Sequence, residues 1–180
     1  MDITLLVNLT SRAWSLQILA LLHAGVPGRQ APLIAATGAS RSSFASSLKH
    51  LVQLGLLERN PGHGHPLRPE FRLTSAGTMV AATASRIVDT VPDDDAFAVI
   101  RRNWTVPILA VTESPTRFSI IKTGLGSITD RALSKSLSVL EEREWLRREI
   151  DVSRRSPFPT YQAVNAGREI NEAIGLSART

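Results

Sequence analysis

The chain of 180 residues has no cysteine. That excludes disulfides, thiolate catalysis and cysteine-ligated zinc. Aromatic residues make up only 5% of it, so a core has to be built from Leu, Ile, Val and Ala, a composition that suits helices. No run of residues approaches the ~20 apolar positions of a membrane span. The opening MDITLLVNLTSRAW has a short apolar run without a basic leader, and no signal peptide is expected. The expected compartment is the cytoplasm. Catalytic constellations are missing too: there is no Ser/His/Asp set, no paired carboxylate site and no Gly-rich phosphate loop after a strand. Gly124-Leu125-Gly126-Ser127 falls between two predicted helices and is not a nucleotide fingerprint. An enzyme is not expected.

What the chain does have is a packed-core composition, 43% hydrophobic and 21% charged, which argues against disorder. It also has a net charge of +5, a balance that favours a polyanionic partner, most often nucleic acid. Residues 1–90 hold 8 Lys/Arg against 4 Asp/Glu, and residues 91–180 hold 13 against 12. Three of those later acids form the single run Asp93-Asp94-Asp95, so without it the two halves carry matching charge. The run reads as a solvated boundary between them.

The halves match in more than charge. Arg12-Ala13-Trp14-Ser15 aligns with Arg102-Asn103-Trp104-Thr105, and Ile18-Leu19-Ala20 with Ile108-Leu109-Ala110, at an offset of 90. Ser40, Phe44, Ser47, Leu48, Leu51, Leu57 and Arg59 fall on Thr129, Leu133, Ser136, Leu137, Leu140, Leu146 and Arg148, at 89. Pro69-Glu70-Phe71 falls on Pro159-Thr160-Tyr161, and Ala76-Gly77 on Ala166-Gly167, at 90 again. Agreement at three separated places implies two copies of one unit, residues 1–90 and 91–180, joined near TVPDDDA.

In the first copy, Ser11 is the expected N-cap of an apolar-periodic helix through Leu22, ended by Gly25-Val26-Pro27-Gly28. A short helix is predicted over 31–37, and a second over 41–54, capped by Ser40, with Phe44, Leu48 and Leu51 inward. Strands are predicted at LLERN and EFRLT around the tip PGHGHPLRP, then a helix over 78–89. The second copy repeats this: helices over 104–112 and 119–123, a helix capped by Thr129, strands over 145–150 and 159–164, and a last helix over 167–175. The fold class is mainly α with small β-hairpin wings (α+β), as tandem winged helix-turn-helix domains.

In the second copy, Trp104, Ile108-Leu109, Arg117-Phe118-Ser119, Gly126-Ser127-Ile128-Thr129-Asp130-Arg131-Ala132-Leu133-Ser134, Leu137 and Leu140-Glu141 follow one another along the chain. The pattern resembles the HxlR-type winged-helix transcription regulators over about residues 100–172. Residues 10–82 are similar but weaker, nearer a generic MarR-like unit, with Arg29-Gln30 in place of the Arg-Phe pair and Phe44 where the family usually has Leu. The resemblance implies a bacterial DNA-binding repressor or activator, generally a homodimer with one winged domain per chain. This chain departs by holding two. It also lacks the sensing cysteine of some members, which removes a thiol switch.

With Leu133, Leu137 and Leu140 buried, the outward stripe of the second capped helix is Asp130, Arg131, Ser134, Lys135 and Ser138. In the first it is Arg41, Ser42, Ala45, Ser46 and Lys49, with Ser43 beside them. Small hydroxyl residues let a helix approach the major groove, and Arg and Lys reach guanine edges or phosphates. On an isolated helix the same stripe would be an ordinary solvated face. Inside a duplicated helix-turn-helix it becomes a candidate reading face for double-stranded DNA. At the wings, Arg68, Arg154 and Arg155 are candidates for phosphates or the minor groove. His63 and His65 have no carboxylates at metal spacing, so no metal or cofactor is expected. Trp14 and Trp104, in equivalent places, are expected in the core.

Two classes of function stay open. One is a regulator acting as a covalent pseudo-dimer with two unequal readers. The other is a tandem winged-helix interaction subunit of a chromosome-organising complex, or a replication initiator. Docking would need exposed apolar residues on terminal helices, such as Ile87 and Val88. A homodimer and a protein partner both remain compatible; a membrane partner does not.

Overall fold

A computed structural model describes residues 1–60, 69–91, 93–153 and 155–176. The chain forms two compact units, one of Leu9–Asp89 and one that joins Met1–Asn8 to Thr90–Thr180. The leading helix α1, Ile3–Thr10, runs across the first of these divisions. Its Leu6 and Leu9 are fully buried. No single helix among the described residues is long and apolar enough to cross a membrane.

The Leu9–Asp89 unit continues with α2 (Ser15–His23), α3 (Gln30–Thr37), α4 (Arg41–Gln53), β1 (Leu57–Asn60), β2 (Glu70–Leu73) and α5 (Ser75–Asp89). β1 and β2 pair antiparallel, with Leu57 opposite Leu73 and Asn60 opposite Glu70. Helix α5 packs chiefly along α2. Its inner face carries Gly77, Ala81 and Ala84, small enough to bring two backbones close, while Ile18, Leu19, Leu33, Phe44 and Leu51 fill the centre. Burying each such side chain contributes about 1.5–3 kcal/mol. Ile87 belongs to this core, fully buried, so the docking feature expected at that residue is not on offer.

The second unit adds α6 (Asp94–Ile100), α7 (Thr105–Ala110), β3 (Thr116–Arg117), α8 (Phe118–Leu125), α9 (Asp130–Glu142), β4 (Leu146–Asp151), β5 (Phe158–Ala163) and α10 (Ala166–Ile174). The sheet is antiparallel in the order β3-β5-β4. The first unit answers β3 with only an isolated bridge, Arg29 to Glu70. Buried Thr112 closes α7: its hydroxyl donates to the Ile108 carbonyl at 2.9 Å, and its own carbonyl accepts the Ala163 N–H at 2.7 Å. Leu133, Leu137 and Leu140 of α9 are buried, as are Ile108, Leu109, Ile121, Tyr161 and Ile170 of the same unit.

Backbone detail repeats between the units. Leu56 O accepts from Thr74 N–H at 3.1 Å, and Trp145 O from Val164 N–H at 3.0 Å. A Cβ on Gly77 would sit 1.9 Å from the first oxygen, and one on Gly167 2.1 Å from the second. Both positions demand glycine because a wing-root carbonyl lies against the next helix. These contacts recur at offsets of 89 and 90, as the sequence repeat does.

The acidic run Asp93-Asp94-Asp95 is exposed, as expected, and it also starts a helix: the Asp93 carboxylate accepts the Ala96 N–H at 2.7 Å, and Asp94 and Asp95 form the first turn of α6. Three sequence expectations change. Ser11 is not an N-cap. Helix α2 starts at Ser15, and the Ser11 hydroxyl instead bonds His50 Nε2 at 3.2 Å. Trp14 and Trp104 are half-buried at the heads of α2 and α7, because a ring at a helix entry is only partly covered. The buried tryptophan is Trp145, 6% exposed. Finally, the expected pattern had no counterpart of α1, α6 or β3.

Candidate nucleic-acid interface

Each unit presents one capped helix with a polar outer face. Ser40 Oγ accepts the Ser43 N–H at 3.4 Å at the head of α4, and Thr129 Oγ1 accepts the Ala132 N–H at 3.2 Å at the head of α9. Such a cap is worth about 1 kcal/mol. It also fixes the start of the helix, and with it the rotational phase of every side chain that follows. In α4 the phase buries Phe44, Ser47, Leu48 and Leu51. In α9 it buries Leu133, Leu137 and Leu140.

The opposite faces hold the residues expected there. Arg41, Ser42, Ser43, Ser46 and Lys49 are all exposed on α4, and Asp130, Arg131, Ser134, Lys135 and Ser138 are all exposed on α9. Among the described residues, no carboxylate pairs with Arg41, Lys49, Arg131 or Lys135. An exposed cation without an internal partner is available to an external anion.

Three members of the set are partly engaged within the protein. The Asp130 carboxylate meets Lys122 of α8 at 2.6 Å. The Ser138 hydroxyl donates to the Ser134 carbonyl at 3.1 Å, one turn back. Ser42 Oγ lies 3.4 Å from Ser40 Oγ, within the cap. The Lys122–Asp130 pair is well exposed, so its contribution to stability is small, ~0–1 kcal/mol. Its electrical effect is local: Lys122 neutralises Asp130, so the first turn of α9 keeps the cation Arg131 as the first turn of α4 keeps Arg41.

At the wings, Arg155 is exposed. Arg68, Arg154, His63 and His65 lie outside the described residues. On β4, Arg147 and Arg148 are exposed, and Arg147 pairs with Glu149 at 3.6 Å. Among the described residues, no group of His, Asp and Glu side chains is arranged to hold a metal ion.

One feature at the wing root escaped the sequence pattern. The Arg117 guanidinium lies over the Phe158 ring, 3.5 Å from its centroid. The two residues stand far apart in the chain, and only the pairing of β3 with β5 brings them together. The Arg117-Phe118 dipeptide drew attention as part of a family pattern, with nothing to mark Phe158 as its platform.

Comparison with known proteins agrees with this architecture. The family model described as HxlR-like helix-turn-helix matches residues 9–93 and again 99–177. An uncharacterized HTH-type transcriptional regulator of Mycobacterium tuberculosis (strain CDC 1551 / Oshkosh) is 39% identical over 71 residues, covering 39% of this chain and 44% of that protein. The chain thus spans less than half the length of that relative. No solved structure matches. The chain belongs to the HxlR-like helix-turn-helix family and carries the family's unit twice.

Proposed function

We propose that the protein is a sequence-specific double-stranded-DNA-binding transcription regulator, in which one chain acts as a covalent pseudo-dimer. The observation that carries this reading is the pair of equivalent helices, α4 and α9. Each is capped, each turns an apolar side inward, and each presents unpaired cations among small hydroxyl residues. Cations anchor a helix on phosphates and reach base edges, and serines leave room for the groove wall. The faces differ. Arg41 and Ser42 of α4 stand where α9 has Asp130 and Arg131, so the two readers are expected to recognise unequal half-sites. Such a protein works in the cytoplasm, on the nucleoid.

Genome-wide mapping of bound DNA supplies the operator, and a salt titration on that duplex tests the mechanism. Each neutralised phosphate adds about 0.9 to the slope of log affinity against log salt, so a steep slope is expected. Replacing Arg131 and Lys135 together with Ala should weaken specific binding at least ~10-fold, since base contacts of this kind are worth ~1–3 kcal/mol each. No binding at low salt would remove the regulator reading. Unchanged affinity in the double variant would show that α9 reads nothing.

A further inference from the structure

We propose that Arg117, stacked on Phe158, forms with Arg155 a binding site for one phosphate group at the root of the second wing. The proposal deepens the DNA-binding reading and rests on it for the source of the phosphate, though not for the site itself.

Arg117 is fixed at both ends. Its backbone is held in β3 opposite Thr160 of β5. Its guanidinium carbon lies over the Phe158 ring, 3.5 Å from the centroid. A stacked guanidinium keeps its N–H edges free, because the ring covers only a face of the plane. Those edges form a preorganised fork that matches two oxygens of a phosphate. Among the described residues, no carboxylate pairs with Arg117 or with Arg155.

Arg155 and the exposed hydroxyl residue Ser119 line the same open groove as Arg117 and Phe158. Two cations and a hydroxyl donor therefore border one groove that is itself open to solvent. An anion with several acceptor oxygens satisfies all three; a carboxylate or a chloride satisfies fewer. Glu149 shares the Thr160 row of the sheet, and its carboxylate is turned to Arg147 at 3.6 Å.

The sequence of the first unit offers no aromatic at the matching position. In the repeat register Arg29 stands for Arg117, and Arg68 stands where the second copy has Phe158. The aromatic support is thus a property of the second copy, and it gives that half a phosphate anchor to set beside α9.

The phosphate could belong to a duplex backbone or be a free phosphate ion, and two measurements on the full chain separate these sources. The first is the salt slope of duplex binding for the native protein and for the double variant Arg117→Gln/Arg155→Gln. The second is a titration with inorganic phosphate, followed by NMR at the Arg117 Nε–H and the Ser119 amide. For a backbone phosphate, the slope falls by about 0.9 in the variant, and affinity falls equally on unrelated sequences. For a free ion, the slope is unchanged, but phosphate shifts the native resonances and leaves those of the Arg155→Gln variant in place. If neither changes, the site is overturned. If the native protein binds no duplex at all, the regulator reading fails alone, and the phosphate titration still decides the site. Should the double variant fold poorly, Phe158→Leu keeps both charges and removes only the platform. It is expected to lower affinity by several-fold, and equal affinity would overturn the role of the stacking.

Discussion

Glu144 occupies a left-handed backbone conformation, with φ 56°, at the point where the first unit has Gly55 with φ 69°. Its carbonyl accepts the Asn165 side-chain N–H at 2.9 Å, while its carboxylate makes no hydrogen bond or ion pair among the described residues. The strain of ~1–2 kcal/mol for a residue with a Cβ is therefore uncompensated by its side chain. Glu144→Gly removes it, offset by the greater freedom of glycine in the unfolded chain. A net stabilisation of about 0.5–1 kcal/mol is expected, seen as a rise of a few degrees in the melting midpoint. At this scale the sequence was only half legible. Nothing in the composition of Glu141-Glu142-Arg143-Glu144 marks one Glu as the turn residue. The tryptophans teach the same lesson. Hydrophobicity ranked Trp14 and Trp104 as core, whereas helix entry leaves them half covered and wing-root packing buries Trp145.

Among the elements, those with a long apolar period were readable and those without were not. Helices α4 and α9 combine a capping hydroxyl with apolar residues four and seven positions apart, and both start where that pattern put them. The outer faces followed, since burying one side of a helix dictates the other. Helices α1 and α6, of 8 and 7 residues, are too short for periodicity to show, and unlike α3 and α8 they have no glycine directly after them to mark a helix stop. They exist because burial of Leu6, Val99 and Ile100 selects them. Strand β3 has 2 residues and no sequence signature at all. The Lys122–Asp130 contact also needed coordinates, and it makes a prediction for α9. Asp130→Asn deletes a negative charge from the reading face and frees Lys122. Duplex affinity should rise several-fold at low salt, while stability falls by less than about 1 kcal/mol. Weaker binding with lost sequence preference would instead assign Asp130 to a base, for example a cytosine amino group.

The whole molecule was the most legible level, because a repeat is a long-range signal that needs no local propensity. The 89-to-90 offset is a property of the chain, and the same offset relates Gly77 to Gly167 and the wing-root carbonyls they touch. The unequal faces lead to a test at this scale. If α4 and α9 read different half-sites, replacing either half of the mapped operator with a copy of the other, at the same spacing and orientation, should cost at least ~10-fold in affinity, as several mismatched base pairs would. A symmetric homodimer of identical readers would bind one of the two symmetrised operators at least as well as the original. One last consequence concerns time. Met1–Asn8 is counted in the unit whose remaining residues start at Thr90, and Leu6 in that segment is fully buried. At a synthesis rate of about 5–20 residues per second, the segment leaves the ribosome on the order of ten seconds before that unit is complete. Its apolar side chains spend that interval without their final surroundings, so this short stretch is where a nascent chain is most open to a chaperone or to a neighbouring copy.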